Sequence, residues 1–551
     1  MTAIWIQNYD PFQNQVLSTL AAAFPILLLF ACIGLFRLKI LPSAIISLVA
    51  AFGVAVLVNR MPGSAAVAST LYGVAYGLFP IGWILLNVVF LYQLAVRRGH
   101  MDILRQSLTS IAPDARIQII LIAFAFGSFL EGMAGFGAPM AITSALLLQM
   151  GFRPLDAACL SLLGITASVA FGSLGIPVTT LEQVTGLNGL HLSAIVGRQL
   201  PFFSLIMPFW LVVFFGGFRA LRGVWPAALV AGLGLAIPQF VMANFHGPWL
   251  VDIVSGAICL ISVAVFCQFW NPRSYWDHEG NETPPPARGS ASVFQRGTLA
   301  AWMPWIILTV VVFIWGMPGF VRFCDDVRVI KIPVPFLDGL VQRVPPIVPA
   351  GAGPEAAVFK LNLLSASGTG ILLAAVISGL LMRFRLREMV GVYFATLCHL
   401  RHSLVIISLM LAIGHVVKFS GCDAMLGLAL ALTGGLYPFF GTLLGWVGVT
   451  VTGSDTSTNV LFGNLQKITA QQIGLDPYLM CAAGTTGGVM GKAIAAQSLV
   501  VTATATNQSG AEGEIFRRVF PHTLALACLM GGLVFLQAYV FPFTAMVRSI
   551  P

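Results

Sequence analysis

Phe126-Gly-Ser-Phe-Leu-Glu131-Gly-Met-Ala-Gly135-Phe-Gly137-Ala-Pro139 is the stretch from which the fold is read. Ile117–Leu130, immediately upstream, is apolar and holds no ionisable side chain until Glu131 closes it. Gly132, Gly135, Gly137 and Pro139 then follow, residues that break a helix. Irregular backbone at membrane depth is tolerated only where it is buried in protein or lines a cavity. The glycines alone serve either a close helix contact, where small residues are favoured, or a ligand. Glu131 turns the reading toward function, because an ionisable group inside a span is a functional candidate by default.

The rest of the chain agrees with a membrane setting. Of 551 residues, 58% are hydrophobic and 9% charged, against about 25% charged in a soluble domain. So few charges cannot cover the surface of a soluble protein this long. That excludes a cytosolic enzyme, a disordered chain and a disulfide scaffold, and long unbroken apolar runs exclude a barrel of alternating strands. The net charge of +9 does not mark a nucleic-acid binder. Its cations fall in short clusters between apolar runs: Arg37/Lys39, Arg97/Arg98/Arg105, Arg219/Arg222, Arg383/Arg385/Arg387 and Arg517/Arg518. Cytoplasmic loops look like this, whereas a nucleic-acid face is a continuous basic stripe. The nine cysteines form no CxxC pair and read as small buried residues. Residues 1–15 contain no Lys or Arg, and Val16–Phe36 is followed by Arg37 and Lys39. This predicts a retained first helix with its N-terminus outside.

Spans are expected at 16–36, 41–58, 64–96 (interrupted at Gly77 and Pro80), 116–131, 201–218, 224–243, 250–270, 299–317, 361–382, 402–417, 424–451 and 519–545. Two stretches, 132–181 and 453–506, are apolar yet rich in Gly, Ser and Thr. About 12–14 hydrophobic elements result. Asn271–Gln295, with its Pro284–Pro286 run, and the Pro-rich 319–360 are expected loops. A weak repeat relates Gly99/Leu104 to Gly421/Leu426 and Gly151-Phe-Arg-Pro154 to Gly474-Leu-Asp-Pro477, with Phe126-Gly127 and Phe440-Gly441 between. Transporters are commonly built from two such halves with the substrate between them. The expected division is an N-terminal hairpin (1–63), a first transport repeat (64–200), connecting spans (201–382), a second transport repeat (383–510) and a C-terminal span (511–551).

Two more stretches carry chemistry. Thr452-Gly453-Ser454-Asp455-Thr456-Ser457-Thr458-Asn459 is a polar island between apolar runs. It is rich in helix-capping residues, so a half-helix begins there, with N–H groups suited to an anion. An ordinary capped loop is the alternative. Thr485-Thr486-Gly487-Gly488-Val489-Met490-Gly491-Lys492, continuing to Gln497 and Ser498, resembles a phosphate loop but fails its pattern at Thr486 and Ala493. Lys492 either holds a substrate carboxylate or snorkels to the interface. Arg198 opens a span as an interface anchor or a second carboxylate ligand. His399, Arg401 and His402 read as interfacial loop residues, with metal or proton binding as the alternative. No HExxH or GxSxG is present, and nothing calls for a cofactor or metal.

Glu131-Gly-Met-Ala-Gly-Phe-Gly-Ala-Pro139, Gly453-Ser-Asp-Thr-Ser-Thr-Asn459 and Thr485-Thr-Gly-Gly-Val-Met-Gly-Lys492 resemble the bacterial L-lactate permease family. So do Trp5-x2-Asn8-Tyr9-Asp10-Pro11, Gly197-Arg-Gln-Leu-Pro201 and Gln471-Gln-Ile-Gly474. The resemblance runs over essentially the whole chain and implies inner-membrane uptake of L-lactate, D-lactate or glycolate with protons. Ala496, where the family usually has proline, and the bulkier Met133 and Met140 depart from the pattern and bear on substrate preference.

The expectation is therefore an all-α, polytopic inner-membrane transporter with re-entrant or broken helices in two repeats, acting as a proton symporter for small 2-hydroxy monocarboxylates. Glu131 and Asp455 are the expected proton carriers. Gly135, Phe136, Gly137, Ser454, Thr456, Ser457, Asn459, Thr485, Thr486, Gly487, Lys492, Gln497, Ser498 and Arg198 are the expected substrate contacts. A Na⁺-coupled symporter is the nearest rival. An anion channel would favour rings of charge, and a membrane enzyme lacks a nucleophile–base pair.

Overall fold

Apolar runs of about 20 residues become spanning helices because hydrocarbon offers the backbone no hydrogen-bond partners. The computed structural model describes residues 4–34, 36, 38, 40–103, 113–133, 135, 137–283, 298–348, 351–508 and 510–548. Arg37, Lys39, Leu104, Arg105, Phe136 and the Pro284–Pro286 run lie outside the described residues. Among those described, nine helices are long and apolar enough to cross a membrane, or up to eleven if each of two bent helix pairs is one span. Three shorter apolar helices, Pro139–Gln149, Ser367–Leu381 and Cys422–Ala431, accompany them. The chain is a multi-pass α-helical membrane protein.

Breaks fall where the sequence places helix-breaking residues. Gly63–Tyr76 and Trp83–Arg97 are separated at Phe79, which is extended ahead of Pro80 (φ −143°, ψ 127°). Gly189–Phe245 runs for 57 residues, about 85 Å at roughly 1.5 Å per residue. It is two helices, parted at Gly217, whose φ of 69° is left-handed.

Two expected loops are built otherwise. The helix Leu386–Ser420 starts well before the span expected at 402–417. Glu388 Oε2 accepts the Arg385 N–H at 2.9 Å and caps the start of this helix, which then runs unbroken through Arg387, His399, Arg401 and His402. His399, Arg401 and His402 are therefore exposed residues on a helix, not in a loop. The 319–360 segment holds the helix Pro318–Val327 and short strands. Ile330–Pro333 pairs antiparallel with Val358–Leu361, and Val341–Gln342 pairs parallel with Trp5–Ile6. This small layer is stitched to the helices by Arg343, whose Nε lies 2.6 Å from Glu355 Oε1 and whose Nη2 lies 3.0 Å from Asp423 Oδ2.

The order of elements recurs. Ala115–Met133, a glycine tip, Ala138–Gln149 and Pro154–Gly164, followed by a break, match Tyr437–Thr452, a glycine tip, Asp455–Gln472 and Pro477–Gly491, followed by a break. The sequence pairs fall at equivalent joints. Gly99 and Gly421 both have left-handed φ (71° and 84°), as do Gly151 and Gly474 (104° and 73°). Pro154 and Pro477 both open helices, where the missing N–H is not needed.

Candidate functional site

Four helix breaks and one continuous helix enclose a cavity of about 100 Å³. Gly135 comes from the first tip, Gly172, Ser173, Ile176 and Pro177 from the first broken helix, Thr452–Ser457 from the second tip, and Lys492 and Gln497 from the second break. Ser403, Ile406, Ile407 and Met410 of Leu386–Ser420 close one wall.

The second tip is organised by its own side chains. Gly453 (φ 73°) ends Tyr437–Thr452 in a left-handed turn. Ser454 then caps Asp455–Gln472, its Oγ accepting the Ser457 N–H at 3.2 Å. Thr452 Oγ1 accepts the Ser454 N–H and lies 3.0 Å from Thr458 Oγ1. The first-turn N–H groups of Asp455 and Thr456 have no preceding helical carbonyls to bond, and both residues line the cavity. Across from them, Ser173, Leu174 and Gly175 all take left-handed φ (47°, 59° and 72°). Such a run is strained for Ser and Leu. It unwinds the start of Gly172–Thr185 beside Glu131: a Cβ at Gly172 would stand 2.8 Å from Glu131 Oε1.

Three charges meet here. Lys492 is buried, and its Nζ donates to the Gly453 carbonyl at 2.6 Å. That removes the snorkelling alternative, since the ammonium points into the protein. Glu131 and Asp455 are each 3% exposed. Glu131 Oε2 and both Asp455 carboxyl oxygens lack a hydrogen-bond partner among the described residues. Lys492 acts electrostatically on both carboxyls, yet neither closes an ion pair with it among the described residues.

The expected contacts divide. Glu131, Gly135, Ser454, Asp455, Thr456, Ser457, Lys492 and Gln497 line the cavity together. Asn459 and Thr485 stand behind its wall: Thr485 Oγ1 donates to Asn459 Oδ1 at 3.0 Å, and Asn459 Nδ2 donates to the Pro177 carbonyl at 3.1 Å. Gly137 lies against Val501, and Ser498 is buried with no hydrogen-bond partner for its Oγ among the described residues. Thr486 turns away and donates to Gln199 Oε1 at 2.7 Å. Gly487 faces Tyr437–Thr452, where a Cβ would overlap the Thr442 carbonyl, so it serves helix packing. Arg198 does not line the cavity; its guanidinium is held by Asn244 Oδ1 (2.7 Å) and the carbonyls of Met546 (2.6 Å) and Arg548 (2.5 Å). Among the described residues no group of three or more His, Cys, Asp and Glu side chains is placed to hold a metal.

The L-lactate permease family profile matches residues 18–541. The chain belongs to the L-lactate permease family. It is 43% identical over 556 residues to the glycolate permease GlcA of Escherichia coli (strain K12), and 42% identical over 544 residues to the L-lactate permease of that strain, with 98% of each chain covered in both cases. It is 40% identical over 556 residues to the L-lactate permease of Bacillus subtilis (strain 168), covering 98% of this chain and 99% of that one. Among solved structures, the Alcanivorax borkumensis YdaH transporter aligns over 86% of this chain and 88% of its own, at 14% identity and a TM-score of 0.43. L-lactate permease family members are transporters and not enzymes.

In this L-lactate permease family member, three cavity-lining residues, Ser173, Ser403 and Met410, and a neighbouring carboxyl, Asp252, were not singled out from the sequence. Ser403 and Met410 lie in an apolar span, and neither is itself a charge or a glycine that would attract notice. Ser173 sits inside an apolar stretch noted only as rich in Gly, Ser and Thr. Asp252, 1% exposed, opens the helix Val251–Phe269. It carried the same signal as Glu131, an ionisable group at one end of an apolar run.

Proposed function

We propose that the chain carries small 2-hydroxy monocarboxylates (L-lactate, D-lactate and glycolate) into the cell together with protons, across the bacterial inner membrane. The observation that carries this reading is the pairing of one buried ammonium, Lys492, with two buried carboxyls, Glu131 and Asp455, in a small cavity walled by helix breaks. A carboxylate crosses hydrocarbon only with its charge compensated. Lys492, the helix-start N–H groups and the hydroxyls of Ser173, Ser403 and Thr456 suit a substrate carboxylate and its hydroxyl. Glu131 and Asp455 offer sites for the coupled proton. A cavity of about 100 Å³ suits a solute of a few heavy atoms. The Gly453 carbonyl, an obvious Na⁺ ligand at a broken helix, is already occupied by Lys492, which favours protons over Na⁺.

In this reading residues 64–200 and 383–510 are the two transport repeats, and alternating access moves one against the rest about the cavity. The test is uptake of labelled L-lactate, D-lactate and glycolate into proteoliposomes under an imposed pH or Na⁺ gradient. Accumulation driven by the pH gradient without Na⁺ supports the reading. Accumulation that needs Na⁺ and survives collapse of the proton gradient contradicts it.

A further inference from the structure

Asp252 lies in the first turn of Val251–Phe269, fully enclosed, and neither carboxyl oxygen has a hydrogen-bond partner among the described residues. It packs on Gly127–Met133 at Gly132, where a Cβ would stand 2.8 Å from the Asp252 Cβ. Gly132 adjoins Glu131, and its missing side chain is what lets a second carboxyl sit beside the first.

The other segments packed on Val251–Phe269 bring Asp252 no countercharge. Ile120–Phe126, Thr166–Phe171 and Thr298–Gly316 contain no ionisable residue. Gly172–Thr185 contributes Glu182, whose Oε1 accepts the Gly189 N–H at 3.2 Å. Gly189–Phe245 carries His191, Arg198, Arg219 and Arg222, but the charged group that acts on Asp252 is Glu131. Lys492 acts on Glu131 and Asp455 instead.

A sealed carboxylate without a cation is expensive, whereas a neutral carboxylic acid has one O–H to donate. We propose that Asp252 is a positioning residue of the coupling site: it keeps its proton and donates a hydrogen bond to Glu131 whenever Glu131 is ionised. This rests on Glu131 being the proton carrier. When the Glu131 O–H bond breaks, the proton leaves to water in the cavity and the electron pair stays on Glu131. The Asp252 O–H remains intact and turns toward the new anion. Reprotonation of Glu131 ends that hydrogen bond. Without the donor, release of the Glu131 proton is disfavoured. Net uptake, which needs release, slows; exchange, which does not, continues.

The experiment measures net uptake driven by a pH gradient, substrate exchange and their pH profiles for labelled L-lactate in proteoliposomes. The proteins are the parent, D252A, D252N and E131Q, with D252A repeated in the E131Q background. D252A should lose net uptake roughly tenfold or more, keep exchange, and shift its uptake profile to higher pH by about one to two units, the size of one charge-assisted hydrogen bond. D252N, whose amide still donates, should recover part of the loss. In the E131Q background, D252A should leave exchange unchanged. A D252A protein with parental net uptake and pH profile overturns the proposal. So does a loss of exchange that is equal in the parent and E131Q backgrounds, which marks a packing role. A parent that shows no proton coupling overturns the reading of Glu131 itself, and does so before any Asp252 variant is measured.

Discussion

Glu131 and Asp455 line one cavity with a single ammonium, Lys492, although 324 positions of numbering separate them, and each has its own consequence. Glu131→Gln keeps the shape and hydrogen-bonding capacity of the side chain but cannot titrate. It should abolish accumulation against a gradient while leaving exchange of labelled substrate intact. Accumulation at the parental level would move the coupling role to Asp455, and Asp455→Asn in the same two assays would then show the split. Lys492→Ala removes the cavity's cation. A charge-assisted contact is worth about 1.5–3 kcal/mol, so a tenfold or greater rise in the apparent Michaelis constant is expected, on the order of the full contact. Normal transport by folded Lys492→Ala would mean that its bond to the Gly453 carbonyl is its whole role. These three residues were legible in one dimension, because a charge in an apolar run stands out wherever the chain folds. Asp252 carried that same signal at the head of its apolar run and was passed over, whereas Ser403 and Ser173 reach the site only through the pairing of distant segments, which no local pattern records. Thr486 and Gly487 were misplaced for the converse reason. A Gly/Thr run that packs two helices has the same spelling as one that lines a cavity.

At the scale of elements, glycines set how closely the second half packs. A Cβ at Gly445 would overlap the Gly484 carbonyl, and one at Gly491 the Trp446 carbonyl. These are backbone atoms that no rotamer change moves aside. Gly445→Ala should therefore lower the thermal unfolding midpoint in detergent, with overpacking costing about 1–3 kcal/mol. Gly391→Ala, in an exposed helical position with nothing within 4 Å of its would-be Cβ, should cause no loss. Equal midpoints for the two would contradict the packing account. The loop after Phe269 docks through His278, whose Nε2 lies 2.8 Å from Gln118 Oε1 and whose ring is 4.8 Å from that of Phe152. Burial holds this imidazole below its ordinary range, against a smaller opposing pull from Asp277 and Asp114. A base depressed in the docked state favours docking while neutral, and that contribution, full above about 6.5, is lost as pH falls below it toward the depressed value. Hydrogen exchange in residues 271–283, corrected for intrinsic rates, should rise between roughly pH 7 and 5 in the parent and stay level in His278→Gln. The element boundaries that the sequence missed share a cause. The basic cluster at 383–402 resembles a loop by charge, yet Glu388 caps the Arg385 N–H to start a helix and no Pro or Gly at 399–402 stops it.

At the scale of the whole molecule, the recurring order of tip, arm and broken helix brings four interruptions to one cavity, and Leu386–Ser420 passes through unbroken as its wall. The pairs Gly99/Gly421 and Gly151/Gly474 made this legible, since a left-handed joint demands glycine in both halves. The spatial meeting of the breaks was not legible, because it depends on how the halves face each other. In the proposed transport cycle the cavity takes up a proton with its substrate. The most direct measurement is proton binding by purified protein in weakly buffered detergent solution when L-lactate or glycolate is added, followed with a pH indicator. Proton uptake on substrate addition is expected in the parent and should vanish in Glu131→Gln protein that still binds substrate. Substrate binding with no proton taken up by the parent, at any pH where it transports, would contradict the claim.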